Sequence, residues 1–117
     1  MRLSVKFIVL AIVVTGSFIY GYAEDAKPAI TIHAKKYAFI PAEITLKKDQ
    51  TVTLLLISDD VLHGLTVSEL GIRSDMLKDI PTAVTLTPRQ SGDFPGKCSR
   101  FCGRGHGSMK FTVHVVP

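Results

Sequence analysis

Tryptophan is absent from these 117 residues, and only two cysteines are present. Two cysteines cannot staple a disulfide-dense scaffold, so the fold must rest on a hydrophobic core. Glycine and proline number 9 and 6 and follow no period, which excludes collagen-like and low-complexity chains. Charge of one sign is also scarce. Arg2 and Lys6 are two of the 14 Lys and Arg, so residues 24–117 carry 12 cations against 10 anions, a net +2. That is too little for a nucleic-acid footprint, and no nucleic-acid partner is expected. The length allows one domain and leaves no room for a (β/α)8 barrel or a two-domain dinucleotide enzyme.

What is there is apolar: 46 % of residues are hydrophobic, enough to offset the ordering entropy that keeps disordered chains unfolded. One long uncharged run exists, residues 7–22 (FIVLAIVVTGSFIYGY), preceded by the cations of MRLSVK. Basic then apolar is the order of a secretory signal, and Gly21 and Ala23 suit cleavage after Ala23. As a helix the run spans ~24 Å at ~1.5 Å per residue, short of a ~30 Å hydrocarbon core but within reach of snorkelling flanks. Residues 1–23 are therefore expected to be a signal peptide or a short membrane anchor, with a buried core helix as the weaker reading. Residues 24–28 are expected to be a linker and 29–117 the domain. Signal and anchor both place the domain outside the cytoplasm, periplasmic or otherwise extracytoplasmic. Membrane contact is expected only through 7–22, if uncleaved.

The remainder alternates with period two. Ile30 and Ile32, Ile44 and Leu46, Val52, Leu54 and Leu56, Val84 and Leu86, and Phe111, Val113 and Val115 each face away from intervening Thr, His or Lys. Turn signals separate them: Pro41, Lys48-Asp49, Ser58-Asp59-Asp60, Pro81, Pro88 and Ser91-Gly92. Residues 68–80 (SELGIRSDMLKDI) show neither pattern and are expected to be irregular, with at most a short helical turn. Several short strands predict an all-β sandwich or barrel.

The chemistry concentrates in KCSRFCGRGHGSMK (97–110), which spaces Cys98, Cys102, His106 and Met109 as C-x3-C-x3-H-x2-M. Thiolate and thioether ligands select copper, and imidazole suits it. Lys97, Arg100, Arg104 and Lys110 surround these residues, and their field is expected to favour thiolate. His63, about 35 residues upstream, is the candidate ligand from a second strand. The bland alternatives are a Cys98–Cys102 disulfide, Met109 as core packing and His63 as a strand histidine. Asp59 and Asp60 read as a turn rather than a catalytic pair, and His33 and His114 as surface residues. Lys35-Lys36 and Lys47-Lys48 read as solvated strand edges.

With Asp60-Val-Leu-His-Gly64, Phe94-Pro-Gly-Lys-Cys98 and the C-x3-C-x3-H-x2-M loop, residues 29–117 resemble the copper A domain of cytochrome c oxidase subunit II. Residues 36–52 also resemble the opening strands of cupredoxins. The resemblance implies a cupredoxin-like Greek-key β-sandwich or barrel and a centre of two copper ions. It implies that Cys98 and Cys102 bridge both coppers, that His63 and Met109 complete one, and that His106 and the backbone carbonyl of Arg100 complete the other. The family usually carries Glu where Arg100 stands, and it docks basic cytochrome c on an acidic face; this loop is basic instead. The family's tryptophan for electron uptake is missing, leaving Tyr37, Phe39 and Phe101 as aromatic candidates.

The implied function is extracytoplasmic electron transfer with a redox partner protein such as a cytochrome or oxidase subunit. Two alternatives stay open. One is a mononuclear type 1 copper carrier using His63, Cys102, His106 and Met109. The other is a copper chaperone or reservoir for oxidase assembly. Nothing points to an enzyme acting alone; oxidase activity would need haem-bearing subunits.

Overall fold

The computed structural model describes Gly16 and residues 28–117. The segment 7–22, the proposed cleavage point and most of the linker lie outside the described residues. No helix among the described residues is long and apolar enough to cross a membrane.

Among the described residues, nine strands form two sheets. The first holds β1 (Ala29–Lys35), β2 (Ala38–Ile40), β4 (Val52–Ser58) and β7 (Thr82–Leu86) in the order β2-β1-β4-β7. The second holds β3 (Glu43–Lys47), β5 (His63–Val67), β6 (Ile72–Met76), β8 (Gly92–Lys97) and β9 (Lys110–Val116) in the order β3-β9-β8-β5-β6. Pairs β1·β4 and β3·β9 are parallel and the others antiparallel. The chain thus crosses repeatedly between sheets, as in the expected sandwich.

The period-two pattern decides which faces meet. Ile32, Ala34, Leu54 and Leu56 of one sheet and Leu65, Val67, Phe111 and Val113 of the other are buried in one core. Phe39 and Phe111 meet edge-on across it, ring centres 5.8 Å apart, the geometry aromatic quadrupoles prefer. Outer faces carry the polar partners: Thr51 bonds Thr87 and Thr53 bonds Thr85 between the β4 and β7 segments. His33 pairs with Asp59 at 2.7 Å, and His114 lies between Asp93 and Glu43. Both histidines are surface residues, as their register demands.

Four strands, β2, β5, β6 and β8, lie outside the period-two runs, and the last two show why. β6 occupies 72–76, inside the segment expected to be irregular, after a 3-10 turn at Ser68–Leu70. Its inward residues are Ile72, Ser74 and Met76, and the half-buried serine interrupts the apolar period. β8 contains Pro95 and Gly96, residues that ordinarily argue against an interior strand. Here β8 meets β5 through a single registered pair, Thr66↔Lys97, so Pro95 has no β5 partner to supply with an N–H. At Gly96 any Cβ would lie 2.8 Å from Val67 Cγ2, so glycine permits the close approach of β8 to β5.

Two outcomes follow. Phe111→Ala should cost about 3–5 kcal/mol of unfolding free energy, the usual range for a buried aromatic truncated to alanine, read from urea midpoints. Hydrogen bonds to Asp93 and then Glu43 raise the His114 pKa above its usual 6.5. The resulting stabilisation is fully present below pH 6.5 and is lost as pH rises through the raised value. His114→Gln should therefore flatten the pH dependence of stability just above pH 6.5, compared by urea denaturation at closely spaced pH.

Candidate metal centre

Three chain segments deliver donors to one pole of the sandwich. His63 opens β5, Cys98 directly follows β8, and Met109 directly precedes β9. Each occupies an inward register position, since Leu65, Gly96 and Phe111, two residues further along their strands, are buried as well. Cys102 and His106 sit on the loop joining β8 to β9, with a 3-10 turn at His106–Ser108. His63, Cys98, Cys102 and Met109 are buried, and His106 is half-buried.

The donor atoms converge. His63 Nδ1 lies 4.0 Å from Cys98 Sγ, which lies 4.0 Å from Cys102 Sγ. Cys102 Sγ lies 3.8 Å from His106 Nδ1 and 3.5 Å from Met109 Sδ. The Arg100 carbonyl oxygen lies 3.1 Å from Cys98 Sγ. One donor atom each from His63, Cys98 and Cys102 falls within a 4.8 Å cluster. All six sequence candidates are thus brought together. Both cysteines are free.

These separations suit metal. Two donors sharing an ion at bond lengths of roughly 2.0–2.3 Å, as zinc sites show for N and S ligands, stand about 3.3–4.0 Å apart at tetrahedral to trigonal angles. The donor set of two thiols, a thioether and two imidazoles is soft enough to favour copper.

Backbone close approaches shape the ligand loop. A Cβ on Gly64 would overlap Ser99 Oγ and lie 3.1 Å from Arg100 Cγ, so glycine lets the loop cross tightly over β5. Ser99 N–H donates to the Gly64 carbonyl at 3.2 Å. Arg100 turns its side chain outward, where Nε and Nη2 donate to the two Asp75 carboxylate oxygens at 2.7 and 3.0 Å. Its carbonyl is left facing Cys98. On the other side the Tyr37 ring lies on the backbone of Gly103 and Gly105, where a Cβ at either position would overlap it. Of the three aromatic candidates, Phe39 is buried in the core. Phe101 is 82 % exposed, its ring centre 5.7 Å from that of His106.

Asp60 is the residue whose role the sequence concealed. His63 Nε2 donates to Asp60 Oδ1 at 2.7 Å, which leaves Nδ1 as the lone-pair nitrogen facing the cysteines. Asp60 also accepts from Val61 N–H at 2.6 Å and Lys36 N–H at 2.8 Å. Desolvation alone would raise its carboxyl; hydrogen bonds from Lys36, His63 and Val61 outweigh it and hold the pKa at about 2. Asp60 is therefore ionised at all working pH. The spacing D-x-x-H was a usable signal, but the aspartate also reads as an ordinary turn residue.

The expectation of a thiolate-favouring field is corrected. Burial and the neighbouring Cys98 push the Cys102 thiol up, and Asp60 adds to the effect. Lys36 is the cation that opposes them. The loop cations face solvent, and Arg100 is engaged by Asp75. Water screens such charges, whereas desolvation acts directly on the buried sulfur.

Asp60→Ala should lower copper affinity about 10–100-fold, the usual cost of losing a group that orients a metal-bound histidine, as measured by competition against a copper chelator. Because both thiols must lose protons when metal binds, copper loading should release protons and weaken as pH falls, measurable as buffer-dependent heats in calorimetry.

The comparisons agree with this geometry. The family profile of the cytochrome c oxidase subunit II periplasmic domain matches residues 19–116. The periplasmic domain of subunit II of the cytochrome oxidase of Bradyrhizobium japonicum superposes with a TM-score of 0.72 at 17 % identity, covering 78 % of this chain and 85 % of that one. A chain of a haem-copper terminal oxidase dimer gives 0.70 at 19 %, covering 80 % and 68 %. The mixed-disulfide intermediate between a thioredoxin-like protein and subunit II of cytochrome c oxidase gives 0.66 at 17 %, covering 78 % and 83 %. At such identities the superpositions establish the cupredoxin fold alone, while the profile covers most of the sequence. The chain belongs to the cytochrome c oxidase subunit II periplasmic-domain family and is an extracytoplasmic, copper-binding electron-transfer domain of the copper A type.

Proposed function

We propose that the pole holds two copper ions and passes single electrons between a redox partner and a haem-copper oxidase. Cys98 and Cys102 would be shared by both ions, with His63 and Met109 holding one and His106 and the Arg100 carbonyl the other. The carrying observation is the position of Cys98 Sγ, 4.0 Å from both His63 Nδ1 and Cys102 Sγ. Cys98 stands between them, which supports a ligand role over the spare thiol that the mononuclear type 1 reading requires.

A copper pair sharing two thiolates supplies one-electron chemistry with the charge spread over both metals. The protein's own contribution is rigidity and exclusion of water. His63 is held from behind by Asp60, and Met109 is packed at the head of β9. Tyr37 and the Gly64 crossing fix the loop between them. Donors held this firmly move little when charge changes, which keeps reorganisation small. The donors are buried or half-buried side chains, which supports a carrier's role for the pole.

The neighbouring structures support the partner class, since one contains a haem-copper oxidase and one a thioredoxin-like protein bound to subunit II. For this chain the corresponding roles are an oxidase complex as the place of work and a thiol-disulfide protein as the agent that keeps Cys98 and Cys102 reduced before loading. Residues 1–23 serve as signal or anchor, residues 24–28 as linker and 29–117 as the working domain.

Copper content and EPR of the loaded full chain test this. Two coppers per chain with hyperfine splitting from both nuclei are expected. Cys98→Ser and Cys102→Ser should each abolish that signal. One copper with a four-line pattern, and a mild effect of Cys98→Ser, would establish the type 1 reading instead. Copper held only as EPR-silent Cu(I) would establish delivery or storage.

A further inference from the structure

Outward-facing residues beside the metal pole form a row that the electron-transfer reading alone does not use. Across β6, β5, β8 and β9 the registered partners are Arg73↔Thr66, Thr66↔Lys97 and Lys97↔Lys110. Directly paired residues project from the same face. At ~4.8 Å per strand the row is about 14 Å long. Its side chains are outward because the flanking Ile72, Leu65, Val67, Gly96 and Phe111 are buried.

The row carries three cations; the Asp75 carboxylate feels Arg73 but is hydrogen-bonded by Arg100. Lys97 and Lys110 are directly opposite, an arrangement that destabilises a sheet. No acidic group among the described residues lies within 4.0 Å of Arg73, Lys97 or Lys110. Asp75, two residues along β6, is clamped by both forks of Arg100. Glu69 lines one cleft together with Lys97 and Lys110 but forms no ion pair with either within 4.0 Å. At the centre of the row, Thr66 Oγ1 is buried and has no hydrogen-bond partner among the described residues.

Position gives this charge a use. Lys97 immediately precedes Cys98, and Lys110 immediately follows Met109. The row walls a cleft of about 550 Å³ whose lining includes Cys98 and His106. His106, on that lining, stands against Phe101, the most exposed of the large apolar residues among those described. An exposed aromatic flanked by cations has the anatomy of an interface centre with a charged rim.

Resting on the electron-transfer reading above, we infer that the Arg73–Thr66–Lys97–Lys110 row, with Phe101 at its edge, is the docking surface for a redox protein that presents a carboxylate-rich face. A single small anion would span only part of a 14 Å row. Three cations without interleaved aromatics fall short of what a nucleic acid needs. Carboxylates arranged on a protein face match the row in length and sign. Complementary charge of this kind acts mainly on the association rate and is screened by salt.

The test uses the full copper-loaded chain in non-ionic detergent and stopped-flow mixing with two ferrous haem proteins, acidic cytochrome b5 and basic mitochondrial cytochrome c. Each gives up one electron and becomes ferric. The second-order rate with cytochrome b5 should fall at least about tenfold between 10 and 200 mM salt, within the range electrostatic steering provides; the rate with cytochrome c should not fall. Arg73→Glu should lower the cytochrome b5 rate and flatten its salt slope. Arg73→Gln, Lys97→Gln and Lys110→Gln combined should remove the slope. Reduction by flash-generated, uncharged lumiflavin semiquinone reports on the metal centre itself in each variant.

A second measurement needs no metal. Oxidised cytochrome b5 added to the 15N-labelled copper-free chain should shift amides at 66, 73, 97, 101 and 110. Equal salt slopes for both haem proteins, shifts that map elsewhere, or loss of those shifts on adding millimolar phosphate or a short oligonucleotide in place of salt at equal ionic strength would overturn the proposal. If the loaded chain takes no electron even from lumiflavin, the electron-transfer reading fails. The shift map still decides the docking surface.

Discussion

The hydrogen bond from His63 to Asp60 is the constraint on which the pole depends. Asp60 is tied by the Lys36 amide to the end of β1 and by its own amide to Ser58 at the end of β4. Through His63 it reaches the start of β5. One carboxylate therefore joins the two sheets at the end where the donors gather. A hydrogen bond to a charged group is worth about 1.5–3 kcal/mol net, but its directional effect matters more here. It fixes which imidazole nitrogen carries the proton, so the remaining nitrogen is presented to the cysteines before any metal arrives.

Around that fixed point the pole is assembled from close approaches rather than from further strong bonds. Gly64 lets the Ser99-Arg100 backbone lie on β5, and Gly96 lets β8 lie against Val67. Gly103 and Gly105 receive the face of Tyr37. Each contact excludes a Cβ, and together they set the cysteine loop at its depth. The same depth makes the Cys102 thiol a weak acid, because a buried sulfur loses the hydration that would stabilise its anion. Metal is then the charge that compensates. A site built this way resists thiolate chemistry while empty and holds its ligands firmly once loaded.

Inside and outside of this pole follow opposite electrostatic rules. Inward positions carry neutral, polarisable donors, and outward positions one residue away carry lysine. The alternation of a β-strand makes this possible, since Lys97 and Cys98 face opposite sides. Cations that fail to lower the thiol pKa are therefore free to act on whatever approaches the surface.

Much of the architecture was legible in the chain. Period-two alternation marked β1, β3, β4, β7 and β9, and the spacing of Cys98, Cys102, His106 and Met109 marked the loop. β6 was hidden by Ser74 at an inward position. β8 was hidden by Pro95 and Gly96, whose cost falls where a strand meets one neighbour at a single registered pair and must approach it closely. Asp60 was visible but ambiguous, because a turn aspartate and an orienting aspartate look alike until their hydrogen-bond partners are known.

The sequence by itself determined the all-β character, the identity of the donors and their softness toward copper. These depend on side-chain chemistry and on order along the chain. Only the tertiary structure decided that Cys98 stands between His63 and Cys102, that Phe39 is core while Phe101 is surface, and that Arg73, Lys97 and Lys110 share one row. Those relations depend on strand register and sheet order, which bring together residues distant in sequence, and no local pattern encodes which strands become neighbours.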